Sequence, residues 1–534
     1  MNVHKEISTG RIVERGAELA SDKVAVVDGE RRVTYRDLDS LVNSLAATLT
    51  EIGFKKGDRV AIYMKNSIEL VIAFFAIQKL GVIVAWVNPN YRRSESQFIL
   101  QNSGARGVFI FQEWEGYGYS QAISEMRDEL PALEWVFVVG EGQGEGVLSF
   151  DELIRRGRGK RFSPPSVNIR EDLSMLIYTS GTTGRPKGAM ITHTQAVQAG
   201  WQYSLGIAAG PEDIFIGFLP MTHSYGCGAI LIQPLLLMST VVLLDKFDVR
   251  RAFQIIQQEK VTLQLAAPAH YFLELNHPER NSFDLSSLRA GLIAGQIAPE
   301  GLITRIHDEM NAYVSSFWGA SEVGPGVGIM CPYPTPLESR ERYIGHAVED
   351  TQVRVVDPVT GKELPEGEIG ELTLRGWHVM KGYWQNPDET AKQIRNGWLF
   401  MGDLVSRERD GFFRIYGRTK DLINRGGFKI YAYELESMMI EHPGIHEVSV
   451  VATPNPVLGE SICACVVPKP DRQITLSELR AFLKGKVASY KLPDELCVVR
   501  DFPRLSGGVK INKFGKGGLS EMAQNDPARE RHRP

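Results

Sequence analysis

At 534 residues the chain is too long for one hydrophobic core and predicts at least two domains. Apolar residues make up 43 % and charged ones 23 %, an ordinary balance for a globular protein, and the formal charge of −4 argues against a nucleic-acid surface as the main partner. Five cysteines, with no Cys/His cluster near Cys463 and Cys465, point to a reducing compartment and away from a zinc site. In chain order, Leu38, Leu41, Leu45 and Leu49 predict a helix over 34–52, stopped by Gly53. A strand Arg59–Tyr63 follows, then an apolar helix capped by Ser67 and ended at Leu80–Gly81, then a buried strand Val82–Val87. Helices near 95–102, 250–259 and 300–310 continue the alternation to about residue 330, which predicts an α/β body with covered sheets.

The most apolar run, Ala229–Leu244, contains Gln233 and Pro234 and is shorter than the ~20 residues a membrane span needs. It reads as a buried helix followed by a strand Thr240–Leu244. Glu6, Arg11 and Glu14 interrupt any signal core, so the expected location is cytoplasmic, and the assembly is either a monomer or a homodimer. From about residue 345 turn residues multiply, and short strands Gln352–Val356 and Glu371–Arg375 predict a β-rich subdomain. After Gly417-Arg418 a compact α+β domain is expected. Its elements are a helix Glu434–Glu441, strands near 446–452 and 462–467, a helix opened by a Thr475/Glu478 capping box, and a strand near 496–500. The last dozen residues read as a disordered tail. The domain expectation is therefore 1–419, with the β-rich part at about 345–419, and 420–534.

Chemistry concentrates first in Tyr178–Gly188. A short strand, Leu173–Ile177, leads into Thr179, Ser180, Gly181, Thr182, Thr183 and Gly184, followed by Arg185 and Lys187. Glycines that let backbone N–H groups turn inward, hydroxyl donors and two cations together describe a cradle for a polyphosphate. It is not the common P-loop, because Pro186 precedes Lys187 and Gly188 stands where that pattern has its hydroxyl. A second group, Phe317–Glu322, follows a predicted strand Ala312–Phe317. Trp318 beside Gly319 and Ala320 offers a flat face to a purine, and Ser321-Glu322 offers hard oxygens to a phosphate-bound Mg²⁺. In a third, Asp403 can accept from two ribose hydroxyls and the Arg418 guanidinium can bridge ribose and phosphate.

These motifs together resemble the adenylate-forming superfamily of acyl-CoA synthetases, adenylation enzymes and luciferases, and the likeness runs along nearly the whole chain. The resemblance implies a large layered domain and a small mobile C-terminal domain hinged at Lys420. It assigns ATP and AMP contacts to Thr179–Gly184 and Lys187, to the turn Gly295-Gln296-Ile297, to Trp318–Ser321, and to Asp403 and Arg418. Glu322 would hold magnesium. Gly426, Gly427, Phe428 and Lys429 would line the path of coenzyme A. The lysine that bridges carboxylate and α-phosphate matches Lys510, with Lys513 as the fallback, and Thr179 and His223 join the catalytic candidates. The acyl pocket is read from His223, Ser224, Tyr225, Gly226, Gly228, Gly295, Gly319, Gly324 and Pro325. No Asp near His223 offers an ammonium partner, so amino acids are not the expected substrate. Two departures stand out: Met401 replaces a threonine before Gly402-Asp403, and Val509 a glycine before Lys510.

The expectation is an ATP-dependent acid–CoA ligase, AMP- and pyrophosphate-forming, nearest to the benzoate- or cyclohexanecarboxylate-type enzymes, acting on an aromatic, alicyclic or medium-chain acid. The main rival is an aryl-acid adenylating enzyme that loads a carrier protein. A luciferase-like oxygenase and a non-catalytic acid-binding module are weaker rivals.

Overall fold

The computed structural model describes residues 6–142, 144–179, 186–426, 428–504, 511–515 and 517–532. The described residues fall into two compact units, the first drawn from Met1–Gly181, Arg185–Val353 and Leu374–Leu399, the second from Arg354–Thr373 and Phe400–Pro534. The first is a large α/β unit and the second a smaller one. The division falls between Leu399 and Phe400, inside the strand Trp398–Arg407, whereas the sequence reading sets its hinge at Lys420.

Two large sheets make the first unit. A seven-stranded sheet runs Lys187–Thr192, Leu173–Thr179, Ile83–Trp86, Arg59–Tyr63, Gly107–Phe111, Trp135–Val139, Val147–Ser149; only its first pair is antiparallel. The nine-stranded sheet has a parallel centre in the order Tyr313–Trp318, Ala290–Ile293, Leu263–Ala266, Ile214–Gly217, Thr240–Leu243. Two helices, Ile68–Lys79 and His193–Ile207, each touch strands of both sheets. That position explains their composition: all twelve side chains of Ile68–Lys79 are buried, so no polar stripe is wanted. Its start is fixed by the Ser67 hydroxyl, which accepts from the Leu70 N–H at 3.2 Å. A buried polar cluster, Thr9, Gln78, Ser174 and His193, ties the N-terminal turn to both helices and to the strand that leads to Thr179. Burial holds the His193 imidazole neutral, down to about 4.

The second unit carries a six-stranded sheet whose centre is the long hairpin Ile445–Asn455/Gly459–Pro468. This hairpin is longer at both ends than alternation alone suggests. Helix Leu476–Leu483 begins where expected, with the Thr475 hydroxyl accepting from Glu478 N–H. The C-terminal tail departs from expectation. Leu519–Asn525 is helical and Glu530–Arg531 pairs with Glu495–Val498. Charges in the segment expected to be disordered find partners: Arg529 meets Glu495 at 3.2 Å, and the Glu530 carboxylate accepts from Leu476 N–H at 2.7 Å. Cys463, Cys465 and Cys497 share one buried apolar face under that helix. Among the described residues no helix is long and apolar enough to cross a membrane.

Candidate active site

The C-terminal ends of parallel strands gather the first unit's motifs, where an open α/β sheet leaves its crevice. Ile214–Gly217 leads to His223, Ala290–Ile293 to Gly295, and Tyr313–Trp318 to Gly319 and Glu322. Gly295 is exposed with φ +90 and has nothing near the position a Cβ would take, so the strand can turn there without obstruction. Gln296 is exposed and Ile297 half-buried beside it. His223 is exposed and caps a short turn, its Nδ1 accepting from Tyr225 N–H at 3.3 Å. The neighbouring Thr222 hydroxyl is buried with no hydrogen-bond partner among the described residues.

Behind these ends lies an aromatic floor. Tyr225 packs edge-on against Phe317, with centroids 5.0 Å apart, and both approach Tyr203. The Tyr225 hydroxyl donates to the Leu292 carbonyl at 2.9 Å and that of Tyr203 to the Pro325 carbonyl at 3.1 Å. Gly226 and Gly228, read from sequence as pocket-lining, sit where a Cβ would strike the Pro220 and Pro325 carbonyls at 2.0 and 1.9 Å. They open a π-helical turn, Cys227–Ile232, a geometry frequent at functional sites. Ser224, Gly324 and Pro325 are buried in the same region. Trp318 is also buried, at 6 % exposure, with its ring over Gly328, so its face is spent largely on its own hairpin.

Thr179 stands opposite Lys187 across the antiparallel pair Leu173–Thr179/Lys187–Thr192. Ser180, Gly181, Thr182, Thr183 and Gly184, between them, lie outside the described residues. Lys187 is ion-paired with Glu389, and its ammonium lies 5.4 Å from the centroid of the Tyr383 ring. The Tyr383 hydroxyl donates to Glu322 Oε1 at 2.8 Å. A chain of contacts thus joins the polyphosphate candidate to the magnesium candidate. Ser321 and Glu322 are half-buried, and Glu322 Oε2 carries no hydrogen bond among the described residues. Among those residues no group of three or more His, Cys, Asp and Glu is arranged as a metal cage. A single carboxylate with a free oxygen suits Mg²⁺, which keeps waters and shares substrate phosphates.

Sequence reasoning missed Tyr383 and Glu389. Tyr383 lies on a strap that runs antiparallel to Lys187–Thr192, with Trp384 N–H on the Gly188 carbonyl at 2.7 Å and Met190 N–H on the Gly382 carbonyl at 2.9 Å, and Glu389 lies in the helix Pro387–Gln393 that follows it. The legible signal was Asn386-Pro387-Asp388-Glu389, a helix start in which Asn386 accepts from Glu389 N–H at 3.2 Å.

In the second unit Asp403 and Arg418 are cross-strand neighbours, with the guanidinium Nε on Asp403 Oδ1 at 3.1 Å; the aspartate is buried and the arginine side chain half exposed. Lys420 is exposed in the turn Thr419–Asp421. Gly426 takes φ +57 in the hairpin that pairs Arg425 with Phe428, and Phe428 stacks on Tyr490 at 4.4 Å while 52 % exposed. Lys429 faces Asp357 at 3.6 Å. Gly427 and Lys510 lie outside the described residues. Lys513 is engaged, 2.6 Å from Glu436 and 3.9 Å from Asp421.

The AMP-binding enzyme family matches residues 13–384, and the AMP-binding enzyme C-terminal domain matches residues 434–508. A mitochondrial medium-chain acyl-CoA ligase of Danio rerio, ACSF2, is 32 % identical over 92 % of this chain and 84 % of its own length. Two solved structures share the fold. The anthranilate CoA ligase AuaEII, in complex with anthranoyl-AMP, aligns with TM-score 0.86 at 28 % identity over 95 % of each chain. ATP-bound MatB from Rhodopseudomonas palustris gives 0.85 at 25 % identity, covering 97 % of this chain and 99 % of that one. Fold and site define an adenylate-forming enzyme of the acyl-CoA synthetase kind. The chain belongs to the AMP-binding enzyme family.

Proposed function

We propose that the protein is an ATP-dependent carboxylic acid–CoA ligase that works through an acyl-adenylate. The observation that supports this reading is the junction of Lys187, Tyr383 and Glu322, because it links a cation and a hard-oxygen ligand, the two groups that a magnesium-bound polyphosphate needs. The acid is already an anion at neutral pH and attacks the α-phosphorus of ATP, so no general base is required. The P–O bond to pyrophosphate breaks as the acyl–phosphate bond forms. A thiol of coenzyme A then attacks the acyl carbon and AMP leaves.

Thr179–Gly184 and Lys187 take the polyphosphate in this reading, and Glu322 takes the cation, whose contribution is to neutralise phosphate charge. Asp403 and Arg418 take the ribose. Lys510 is assigned the bridge between carboxylate and α-phosphate, since Lys513 already neutralises two carboxylates of its own unit. Lys420 is the hinge, and Gly426, Gly427, Phe428 and Lys429 border the coenzyme A path. A floor of Tyr203, Tyr225 and Phe317, with both hydroxyls committed to backbone carbonyls, favours a compact aromatic or alicyclic acid or a medium-length chain beside His223.

The test is AMP release with ATP and Mg²⁺ over benzoate, cyclohexanecarboxylate, 2,3-dihydroxybenzoate and C4–C10 fatty acids, with and without CoA. Turnover that requires CoA and prefers one acid class is expected. Acid-dependent pyrophosphate exchange without CoA-dependent turnover would replace the ligase with an enzyme that loads a carrier protein. ATP binding without any exchange would leave only a binding module.

A further inference from the structure

We infer that Tyr383 is a positioning residue for Glu322, fixing one carboxylate oxygen so that the other is presented to the ATP-bound cation. The inference rests on the ligase reading. Its geometry begins with the strap. Met380 N–H donates to the Glu322 carbonyl at 2.9 Å, so the strap is pinned to the Glu322 turn as well as to the Lys187 strand. Tyr383 is pinned in turn, its N–H donating to the Thr390 hydroxyl at 2.8 Å, which itself donates to the Asn386 carbonyl at 2.8 Å. The Tyr383 ring is buried at 4 % exposure and its hydroxyl ends on Glu322 Oε1.

A phenol held at both ends of its residue has little rotational freedom left to lose, so its hydrogen bond acts on the carboxylate's orientation. A hydrogen bond to a charged group is stronger than one between neutral groups. Without the hydroxyl, Glu322 keeps its charge and its place in the chain but can rotate, and both oxygens become equivalent. The cation then meets a ligand that must be ordered at the moment of binding.

Tyr383→Phe keeps the ring over Lys187 and removes only the donor. ATP binding by calorimetry, at a series of free Mg²⁺ concentrations, should show the Mg²⁺ midpoint raised by about tenfold. The ligand-free thermal midpoint and the KM for the acid should stay near wild type. In a Glu322→Gln background the same substitution should add almost nothing, because the hydroxyl acts through that carboxylate. An unchanged Mg²⁺ midpoint in Tyr383→Phe, or fully additive losses in the double variant, would overturn the inference. Wild-type ATP binding that ignores Mg²⁺ would also overturn it, while acid-dependent pyrophosphate exchange would still judge the ligase reading separately.

Discussion

Two lysines, Lys187 in the first unit and Lys513 in the second, each end on a glutamate, yet their surroundings differ in charge count. Lys187 shares Glu389 with Lys392, which sits 2.6 Å from the same carboxylate, so two cations surround one anion. Lys513 is one cation between Glu436 and Asp421, and Glu436 is further fixed by Val450 N–H at 2.6 Å. Burial alone would lower the Lys513 ammonium, and the two carboxylates instead carry it above its ordinary value. In the first arrangement a second cation draws on the same glutamate, which leaves Lys187 freer to meet a polyphosphate. In the second, one lysine is shared by two carboxylates, and it reads as the strut of a small domain. Similar sequence contexts, a lysine near glycines, therefore separate by what else is charged nearby.

The largest effect tests the strut. Lys513→Met removes the cation that Glu436 and Asp421 share, and removing one partner of a buried pair costs about 3–5 kcal/mol. Denaturant unfolding of the second unit's transition should show that loss, with pyrophosphate exchange at low temperature staying within a few-fold of wild type. A stable variant that has lost exchange would instead make Lys513, not Lys510, the lysine of the adenylation step. Next comes Lys187→Ala, which should lower acid-dependent exchange by roughly 10²–10³ at unchanged stability, the usual cost of removing one charge-stabilising donor. Exchange at the wild-type rate would dissolve the distinction between the two lysines.

The difference also marks how far the sequence could be read. Local signals were legible to the residue or nearly so: Ser67 and Thr475 cap the helices that follow them, because an N-cap needs only its neighbours. The strand ends that carry Gly295, Gly319 and Glu322 were legible for the same reason. Long-range pairings were not. Nothing local says that Glu389 crosses to Lys187, 202 positions away, or that Arg529 returns to Glu495 and orders the tail. The glycines at 226 and 228 looked like open space and are instead points of backbone contact, since a missing Cβ reads identically in both cases.

A buried carboxyl with no cation beside it among the described residues extends the comparison. Glu274 is fully buried, accepts from Gln264 Nε2 at 2.6 Å and has a second oxygen without a partner among the described residues. Burial pushes its carboxyl up to about 8. The folded protein therefore keeps a proton that the unfolded chain releases near the usual carboxylate value, and stability falls as pH rises from there towards 8. Between about pH 5.5 and 7.5 the loss should be roughly 2–3 kcal/mol, and Glu274→Gln should remove that slope. Parallel slopes in the two proteins would show that the carboxyl is ionised in the fold.

The smallest effect bears on Glu389 itself. Its carboxylate is held well down, to about 2, first by Lys187 and then by Lys392, so it is charged at every working pH. An incoming polyphosphate must share Lys187 with it and approaches a like charge as it does so. Glu389→Gln keeps an oxygen for the lysine and removes the competing charge. Lys392 already offsets part of the Glu389 charge, so the KM for ATP should fall by only about two- to fivefold, with kcat within twofold. The decrease should shrink as salt is raised, because screening weakens the repulsion that the carboxylate exerts in the wild-type protein. A KM that rises would mean that Glu389 serves mainly to aim Lys187. The net positive charge around that lysine would then matter less than its direction.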